Sequence, residues 1–235
     1  MNQSPFRRGL LVGRPIGLGY LSVSFAFGIF AVNAGLTAAE TSLISMTCMT
    51  SAGQLAAVPI MTVGGSLLEL IVSQIIINLR YSLMSISLSQ KLGEDVTTAD
   101  RFAIAFFNTD EIFAVASSQP GQVSRVYLYG LGILPWIGWA GGTVAGALAG
   151  NVLPAIVTSA LGVAIYGMFI AIVVPVARRE RPVALCVLLA VALSCGFEFL
   201  PALQGIPGGF TVILCAVTAS AVMAALAPIP EEVAA

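Results

Sequence analysis

Charged side chains stand within or beside long apolar runs of this sequence, where they can bind ions or protons. Glu69 and Arg80 belong to an apolar segment at 65–88, and the adjacent carboxylates Asp110 and Glu111 follow another apolar run. A charge at the centre of a bilayer costs about 2.5–3.5 kcal/mol on insertion scales, so such groups are usually functional. The candidates for binding a proton or an ammonium group are Asp110, Glu111 and Glu69. In a surface loop the two adjacent carboxylates would only be solvated, and Arg80 could reach the interface from a helix end.

A second polar group interrupts an apolar segment with small residues. The run from Thr50 to Gln54 reads Thr-Ser-Ala-Gly-Gln and is followed by Pro59. Small residues and a nearby proline can open a helix, and the N–H groups freed at such a break can hold a carboxylate. A tightly packed helix with Gln54 bonded to a neighbour explains the same residues, and the sequence leaves both interpretations open. The candidate substrate-binding residues are Ser51, Gly53, Gln54, Asn78 and Arg80.

Several chemistries are excluded by what the sequence lacks. It has no histidine, which removes serine–histidine hydrolysis and HExxH zinc sites. Its four cysteines stand singly in apolar segments and fit no metal or redox spacing. Because the net charge is −1 and no large basic cluster occurs, nucleic acid is not an expected partner. We expect no cofactor, no metal and no enzymatic activity.

The elements that must position these residues are membrane helices. Of the 235 residues, 58% are hydrophobic and only 9% are charged, too few to cover a soluble surface. A transmembrane helix needs about 20 mostly apolar residues. The pattern predicts an all-α, polytopic integral membrane helical bundle that forms a single domain over 1–235. The seven strong segments are 13–36, 39–64, 65–88, 124–149, 153–177, 183–203 and 209–228, and 101–119 is a weak eighth.

Basic residues orient these segments, because cytoplasmic loops are enriched in Lys and Arg. Arg7, Arg8 and Arg14 place the N-terminus in the cytoplasm, and Arg178 and Arg179 place the loop after the fifth strong segment there. The two assignments disagree by one crossing: either the weak segment crosses, giving eight spans, or the second strong segment is a broken, re-entrant hairpin. We favour eight spans, because the second strong segment is long enough to cross. A loose hydropathy match between the two parts of the chain also suggests an internal repeat.

Glycine marks close helix packing. Two groups of small residues recur at short intervals, namely Gly142, Gly146 and Gly150, and Gly13, Gly17 and Gly19. Small residues let helix backbones approach each other closely in lipid. We therefore expect both groups at helix–helix contacts.

The order of these motifs resembles the large subunit of the AzlC/YgaZ-type branched-chain amino acid exporters. The matching stretches are Gly28 to Gly35, Ser51 to Gln54, Asn78 to Leu83, Thr109 to Ala114 and Trp139 to Gly150. The resemblance covers most of residues 10–177 and fades in the last third. Members of that family often have a histidine after the arginine, where this chain has Tyr81.

The resemblance implies a secondary transporter subunit of the cell inner membrane, exporting leucine, isoleucine and valine, with methionine a further candidate, by use of a proton gradient. It also implies a small AzlD/YgaH-type membrane subunit as partner. Asp110 or Glu111 would then hold the ammonium group or the proton, and the Ser51 to Gln54 stretch or Arg80 the carboxylate. Two other functions stay open. One is an accessory subunit that transports nothing, and the other is a membrane-embedded enzyme that uses the same charged residues.

Overall fold

The computed structural model of this protein describes residues 4–150 and 152–227. Within them the chain forms ten α-helices and no β-strand, so the predicted all-α class is confirmed. The helices are α1 (Pro5–Asn33), α2 (Ala38–Thr47), α3 (Ser51–Thr62), α4 (Leu67–Ser89), α5 (Thr98–Phe107), α6 (Asp110–Ser117), α7 (Arg125–Gly150), α8 (Ala155–Arg179), α9 (Arg181–Phe199) and α10 (Gly208–Leu226).

Five helices of the described chain have the length and apolar composition of membrane spans, namely α1, α4, α7, α9 and α10. The count of seven or eight spans is therefore not confirmed. Two segments that entered that count, 39–64 and 101–119, are each divided into two short helices. The longest of these four helices, α3, has 12 residues, whereas a span needs about 20.

Internal contacts divide the chain into two compact units. The first comprises residues 1–58 and 78–165, and the second comprises 59–77 and 166–235. The first unit holds most of the polar residues singled out above, whereas in the second unit α9 packs against α10. The single domain over 1–235 and the internal repeat stay predictions.

The most extensive helix contact of the first unit joins α1 and α7. The two helices run parallel, because Gly9 abuts Tyr127 near both starts and Gly28 abuts Thr143 near both ends. Glycines carry this contact on both helices, which lets the backbones touch without intervening side chains.

Only some of the glycines predicted at helix contacts lie in the contact between α1 and α7. Four of them lie within it: Gly13, Gly17, Gly142 and Gly146. The prediction fails for Gly19, whose Cβ position has no neighbour within 4 Å, because two residues along a helix turn the side chain by about 200°. Gly150 makes only an ordinary contact, at 3.5 Å from Ile29. The structure adds four glycines to the contact: Gly9, Gly28, Gly130 and Gly138.

The second strong segment contains a helix break, slightly earlier than predicted. The chain leaves helical geometry at 48–50, just before α3 begins. The Gln54 amide closes the break, because Nε2 donates to the Cys48 carbonyl oxygen at 2.6 Å and Oε1 accepts from Ser45 at 3.3 Å. In a continuous helix Ser45 and Gln54 would lie about 13 Å apart along the axis. The chain therefore turns sharply here.

α2 and α3 run in opposite directions and form what we call the first hairpin. α2 is antiparallel to α7, because it starts just after α1, which ends beside the end of α7. Near the end of α2, Ser45 bonds with Thr143 at 2.8 Å and the Met46 carbonyl oxygen accepts from Trp136 Nε1 at 3.1 Å. α3 is antiparallel to α4, to which a short loop joins it, and α4 ends beside the start of α7. The first hairpin thus enters from the end where α7 finishes and turns back near the middle of α7.

The weak segment is a second hairpin, α5–α6, which enters from the opposite end. α5 starts beside α7, where the Tyr129 hydroxyl donates to the Asp100 carboxylate at 2.7 Å. α6 finishes at the same end, where Lys91 Nζ donates to the Gln119 carbonyl oxygen at 2.8 Å. The chain turns between them at 108–109. Because both ends of the segment lie at the same end of the first unit, it does not traverse that unit.

Asp100 fixes the start of the second hairpin. The Thr97 hydroxyl, then the Tyr129 hydroxyl, hydrogen-bond to the Asp100 carboxylate and hold its pKa well below the ordinary value. Arg125 adds an ion pair with the same carboxylate at 3.2 Å. An ionised carboxylate in the first turn of α5 also suits the positive end of the helix dipole.

Candidate functional site

The tips of the two hairpins face one cavity of about 260 Å³. The tip at 48–50 lies near Trp136, and the tip at 108–109 lies against Tyr20, so both tips reach the middle of α7 and α1. Irregular backbone at membrane depth is tolerated where it is buried or lines a cavity. The cavity is lined by Thr47, Cys48, Met49, Thr50, Asn78, Tyr81, Ala105, Phe106, Asn108 and Thr109.

At each tip, a threonine directly precedes the second helix of the hairpin and caps its N-terminus. Thr50 Oγ1 accepts from the Gly53 N–H at 3.2 Å and donates to Asn78 Oδ1 at 2.7 Å. Thr109 Oγ1 accepts from the Ile112 N–H at 3.5 Å. Both threonines line the cavity, so the N-termini of α3 and α6 open onto it. The partial positive charge of a helix N-terminus favours an anion such as a carboxylate.

Asn108 supplies a buried acceptor that nothing in the described chain engages. Its side chain lines the cavity and is only 3% exposed. Nδ2 donates to Ser85 Oγ at 2.9 Å, whereas Oδ1 has no hydrogen-bond partner. A buried acceptor left unsatisfied costs about 1–3 kcal/mol. The arrangement therefore has room for an N–H donor from a bound molecule.

Three of the predicted substrate-binding residues, Ser51, Gly53 and Gln54, do not line the cavity. The Gln54 amide is 2% exposed and is engaged with Ser45 and Cys48 across the first break. Gly53 donates its N–H to the helix-capping Thr50, and Ser51 is the first residue of α3. These residues shape the tip of the first hairpin, whereas Asn78 does line the cavity.

Arg80 and Asp110 are paired with each other. Arg80 Nη1 lies 2.6 Å from Asp110 Oδ2, and about half of each side chain is exposed. The guanidinium also lies over the Tyr81 ring, 4.9 Å from its centroid, and donates to the Tyr81 hydroxyl at 3.2 Å. Since Tyr81 lines the cavity, its ring stands between the cavity and the ion pair.

Glu111 has a different environment from its neighbour Asp110. The Tyr20 hydroxyl hydrogen-bonds with the Glu111 carboxylate and with the Thr109 hydroxyl, the latter at 2.7 Å. Within the described part of the chain Glu111 forms no ion pair. Among the described residues, one of these adjacent carboxylates is therefore ion-paired and the other is not, and neither lines the cavity.

Glu69 belongs to the second unit and is absent from the cavity lining. Its carboxylate is buried, and Oε1 accepts from the Gly209 N–H at 2.8 Å. Gly209 lies in the first turn of α10, where the positive end of the helix dipole stabilises a carboxylate. In the described residues no cluster of three or more His, Cys, Asp or Glu could hold a metal ion.

Sequence reasoning passed over Thr50, Asn108 and Thr109 as binding residues. Thr109 carries a recognisable signal, because a threonine followed by two acids is typical of a helix start. That start falls inside an apolar segment, which indicates a second broken helix. Asn108 offers no such local signal, since its burial depends on the distant Ser85.

Comparison with known proteins agrees with the resemblance drawn from the motifs. The family described as AzlC protein matches residues 15–153, which include both helix breaks. An uncharacterized membrane protein of Archaeoglobus fulgidus is 33% identical over 172 residues, 72% of this chain and 75% of that protein. The inner membrane protein YgaZ of Escherichia coli is 28% identical over 193 residues, 79% of this chain and 78% of that protein. No solved structure matches the chain.

The family match spans most of α1, both hairpins, α4 and α7, and it covers every residue that lines the cavity. With apolar helices of membrane-spanning length and relatives that are membrane proteins, the chain is a membrane protein of the AzlC family.

Proposed function

We propose that this chain is a secondary transporter subunit for amino acids with apolar side chains, and that the cavity between the hairpin tips is its substrate site. The observation that supports this most is the meeting of two broken helices at one cavity, lined by Thr50, Asn108 and Thr109. Transporters bind substrate at discontinuous helices near the middle of the membrane, where helix N-termini face anionic groups.

The groups around the cavity suit a small zwitterion. Backbone N–H groups at the starts of α3 and α6 would hold the carboxylate, and Asn108 Oδ1 would accept from the ammonium group. Met49, Ala105 and Phe106 give the cavity apolar walls. At about 260 Å³, it lies just below the roughly 300 Å³ at which pockets for drug-sized ligands begin. Leucine, isoleucine and valine are the proposed substrates, with methionine a further candidate, as family membership suggests.

Proton coupling is proposed for Glu111. Asp110 is already paired with the Arg80 guanidinium at 2.6 Å, so a proton moving to Asp110 would disrupt an ion pair. Glu111 hydrogen-bonds with the Tyr20 hydroxyl and forms no ion pair within the described residues, so it is the carboxylate proposed to carry the coupled proton. Glu69 is proposed to stabilise the start of α10, and the small AzlD/YgaH-type membrane subunit stays the proposed partner.

The distribution of basic residues supports a cytoplasmic N-terminus in the cell inner membrane. Six of the seven basic residues of the first unit lie in the half where α1 and α7 begin, and cytoplasmic loops are enriched in such residues. These six are Arg7, Arg8, Arg14, Lys91, Arg101 and Arg125. The first hairpin then re-enters from outside and the second from the cytoplasm.

A native thiol allows a direct test of the site. Cys48 lines the cavity, so a chain with Cys186, Cys195 and Cys215 changed to serine carries its only thiol there. We expect L-leucine at about ten times its Kd to slow maleimide modification of Cys48 in the purified chain about tenfold. At that concentration only about a tenth of the molecules have an empty cavity and can react. Leucinamide and 4-methylpentanoate, each lacking one charged group, should protect much less.

The matched control is a chain whose only thiol is Cys186, which lies in α9 and lines no described cavity. Its modification rate should not depend on leucine. Equal rates at Cys48 with and without leucine would contradict the proposed site and favour a subunit that binds no amino acid. Efflux of leucine from cells that express the chain with its small subunit, compared with cells lacking both, measures transport itself.

A further inference from the structure

A second cavity of about 370 Å³ lies between the end of α4 and α5, within the first unit. It shares Ala105 and Asn108 with the cavity at the hairpin tips. Its other walls are mainly apolar, and they continue past Ser89 to Arg101 and Phe102. Phe102 is 77% exposed, so the outer part of this cavity reaches the surface of the first unit.

Asn108 and its hydrogen bond to Ser85 lie where the two cavities adjoin. Asn108 lies at the tip of the second hairpin and donates from Nδ2 to Ser85 Oγ on α4 at 2.9 Å. Asn108 lines both the inner and the outer cavity, whereas Ser85 lines only the outer one. A single neutral hydrogen bond is a weak closure, and Asn108 Oδ1 is free to exchange partners with an N–H donor.

We propose that the outer cavity is a vestibule for the transported amino acid, and that the Asn108–Ser85 contact is the gate between the vestibule and the substrate site. This inference rests on the proposed function and adds the route by which substrate reaches the site. Continuity of the lining carries it, because Ala105 and Asn108 line both cavities and Ser85, the hydrogen-bond partner of Asn108, lines the outer one. The apolar walls suit an aliphatic side chain.

The mouth of the vestibule has a matching charge. Arg101 lines the outer cavity, is exposed, and forms no ion pair within the described residues. Nearby, the Asp100 carboxylate is engaged with Arg125 and Lys91 is engaged with backbone carbonyl oxygens. An unpaired guanidinium at the rim would attract the carboxylate of an entering amino acid.

Blocking the vestibule with a chemical label tests this route. In a chain whose native cysteines are serine, Ser89→Cys places a thiol on the vestibule wall, and modification with N-benzylmaleimide would fill the space. The matched control is Ser87→Cys, on the same helix but exposed and outside both cavities. Mass spectrometry gives the extent of labelling, leucine efflux from cells gives transport, and leucine-induced thermal stabilisation of the purified full chain gives binding.

We expect labelled Ser89→Cys to lose at least about tenfold in efflux, a change equivalent to about 1.4 kcal/mol in barrier, while leucine still stabilises it. Methyl methanethiosulfonate, which adds a much smaller group, should leave most of the efflux. Labelled Ser87→Cys should transport like the unlabelled chain. Thr98→Cys, on the facing wall, repeats the test if Ser89→Cys folds poorly.

Efflux by labelled Ser89→Cys and Thr98→Cys at the rate of labelled Ser87→Cys would overturn the vestibule, and would indicate that lipid fills this cavity instead. Loss of leucine binding together with efflux would overturn the gate, because the two cavities would then be one site. Failure of the proposed function looks different: the unlabelled parent would neither export leucine nor be stabilised by it.

Discussion

At the residue scale, two buried amides of the first unit differ in a way that separates scaffold from site. Gln54 uses both ends of its amide across the first break, where Ser45 and Cys48 are its partners. Asn108 uses only one end, because Ser85 accepts from Nδ2 and no group of the described residues engages Oδ1. A fully engaged amide rigidifies a fold, whereas a half-engaged one retains capacity for a ligand. Asn108 is therefore the first residue to test for binding.

We expect Asn108→Ala to weaken leucine binding about 10- to 100-fold. A hydrogen bond to a charged group contributes about 1.5–3 kcal/mol, and the ammonium group of leucine would lose its acceptor. Isothermal titration of the purified chain measures the change in Kd. Ser85→Ala is the control, because it leaves Oδ1 in place and should alter the Kd much less. Unchanged affinity in Asn108→Ala would remove this residue from the substrate site.

The adjacent carboxylates Asp110 and Glu111 permit a paired test of coupling. In Glu111→Gln we expect efflux driven by an imposed pH gradient to stop, while exchange of labelled leucine at equal pH continues, because only proton transfer is removed. Asp110→Asn removes the partner of Arg80 and should reduce both activities to a similar extent. Vesicles loaded with radiolabelled leucine measure both. A Glu111→Gln variant that still responds to the pH gradient would exclude Glu111 as the coupling residue.

At the element scale, hydropathy locates helices but does not give their direction. Segments 65–88 and 124–149 agree closely with α4 and α7, because a long apolar run has one stable form in lipid. Segments 39–64 and 101–119 are equally apolar whether they cross or turn back. Their turns depend on contacts between residues far apart in sequence, such as Tyr20 with Thr109. Only the capping threonines leave a local signal.

The α1–α7 contact predicts opposite effects for two nearby glycines. In Gly17→Ala the new Cβ would lie 2.8 Å from the Leu134 carbonyl oxygen, so the helices must separate. We expect a loss of about 1–3 kcal/mol in the free energy of unfolding. Gly19→Ala meets nothing within 4 Å and should be neutral or stabilising by up to about 1 kcal/mol, since alanine favours helix. Thermal unfolding in detergent compares the two, and equal stability would contradict the close approach.

At the scale of the whole molecule, the first unit contains two hairpins that enter from opposite ends and meet near the middle of α1 and α7. This arrangement explains why two apolar segments contribute four short helices and no span of their own. It also removes the disagreement between the two orientation marks, because neither hairpin changes the side on which the chain continues. Of the two alternatives left open by the sequence, a re-entrant second strong segment fits this arrangement, with the weak segment also re-entrant.

The position of the loop between α4 and α5 distinguishes this topology from one with eight spans. With the N-terminus in the cytoplasm, α1 places Asn33 outside and α4 returns the chain, so Glu94 lies in the cytoplasm with Ser118. Eight spans would leave Asn33 and Ser118 where they are and move only Glu94 to the outside. In a chain with its native cysteines changed to serine, we expect a membrane-impermeant maleimide to label Asn33→Cys in intact cells. Glu94→Cys and Ser118→Cys should react only after permeabilisation, because the basic residues Lys91, Arg101 and Arg125 hold their loops inside. Labelling of Glu94→Cys in intact cells would restore the eight-span arrangement, in which the segments of both hairpins cross.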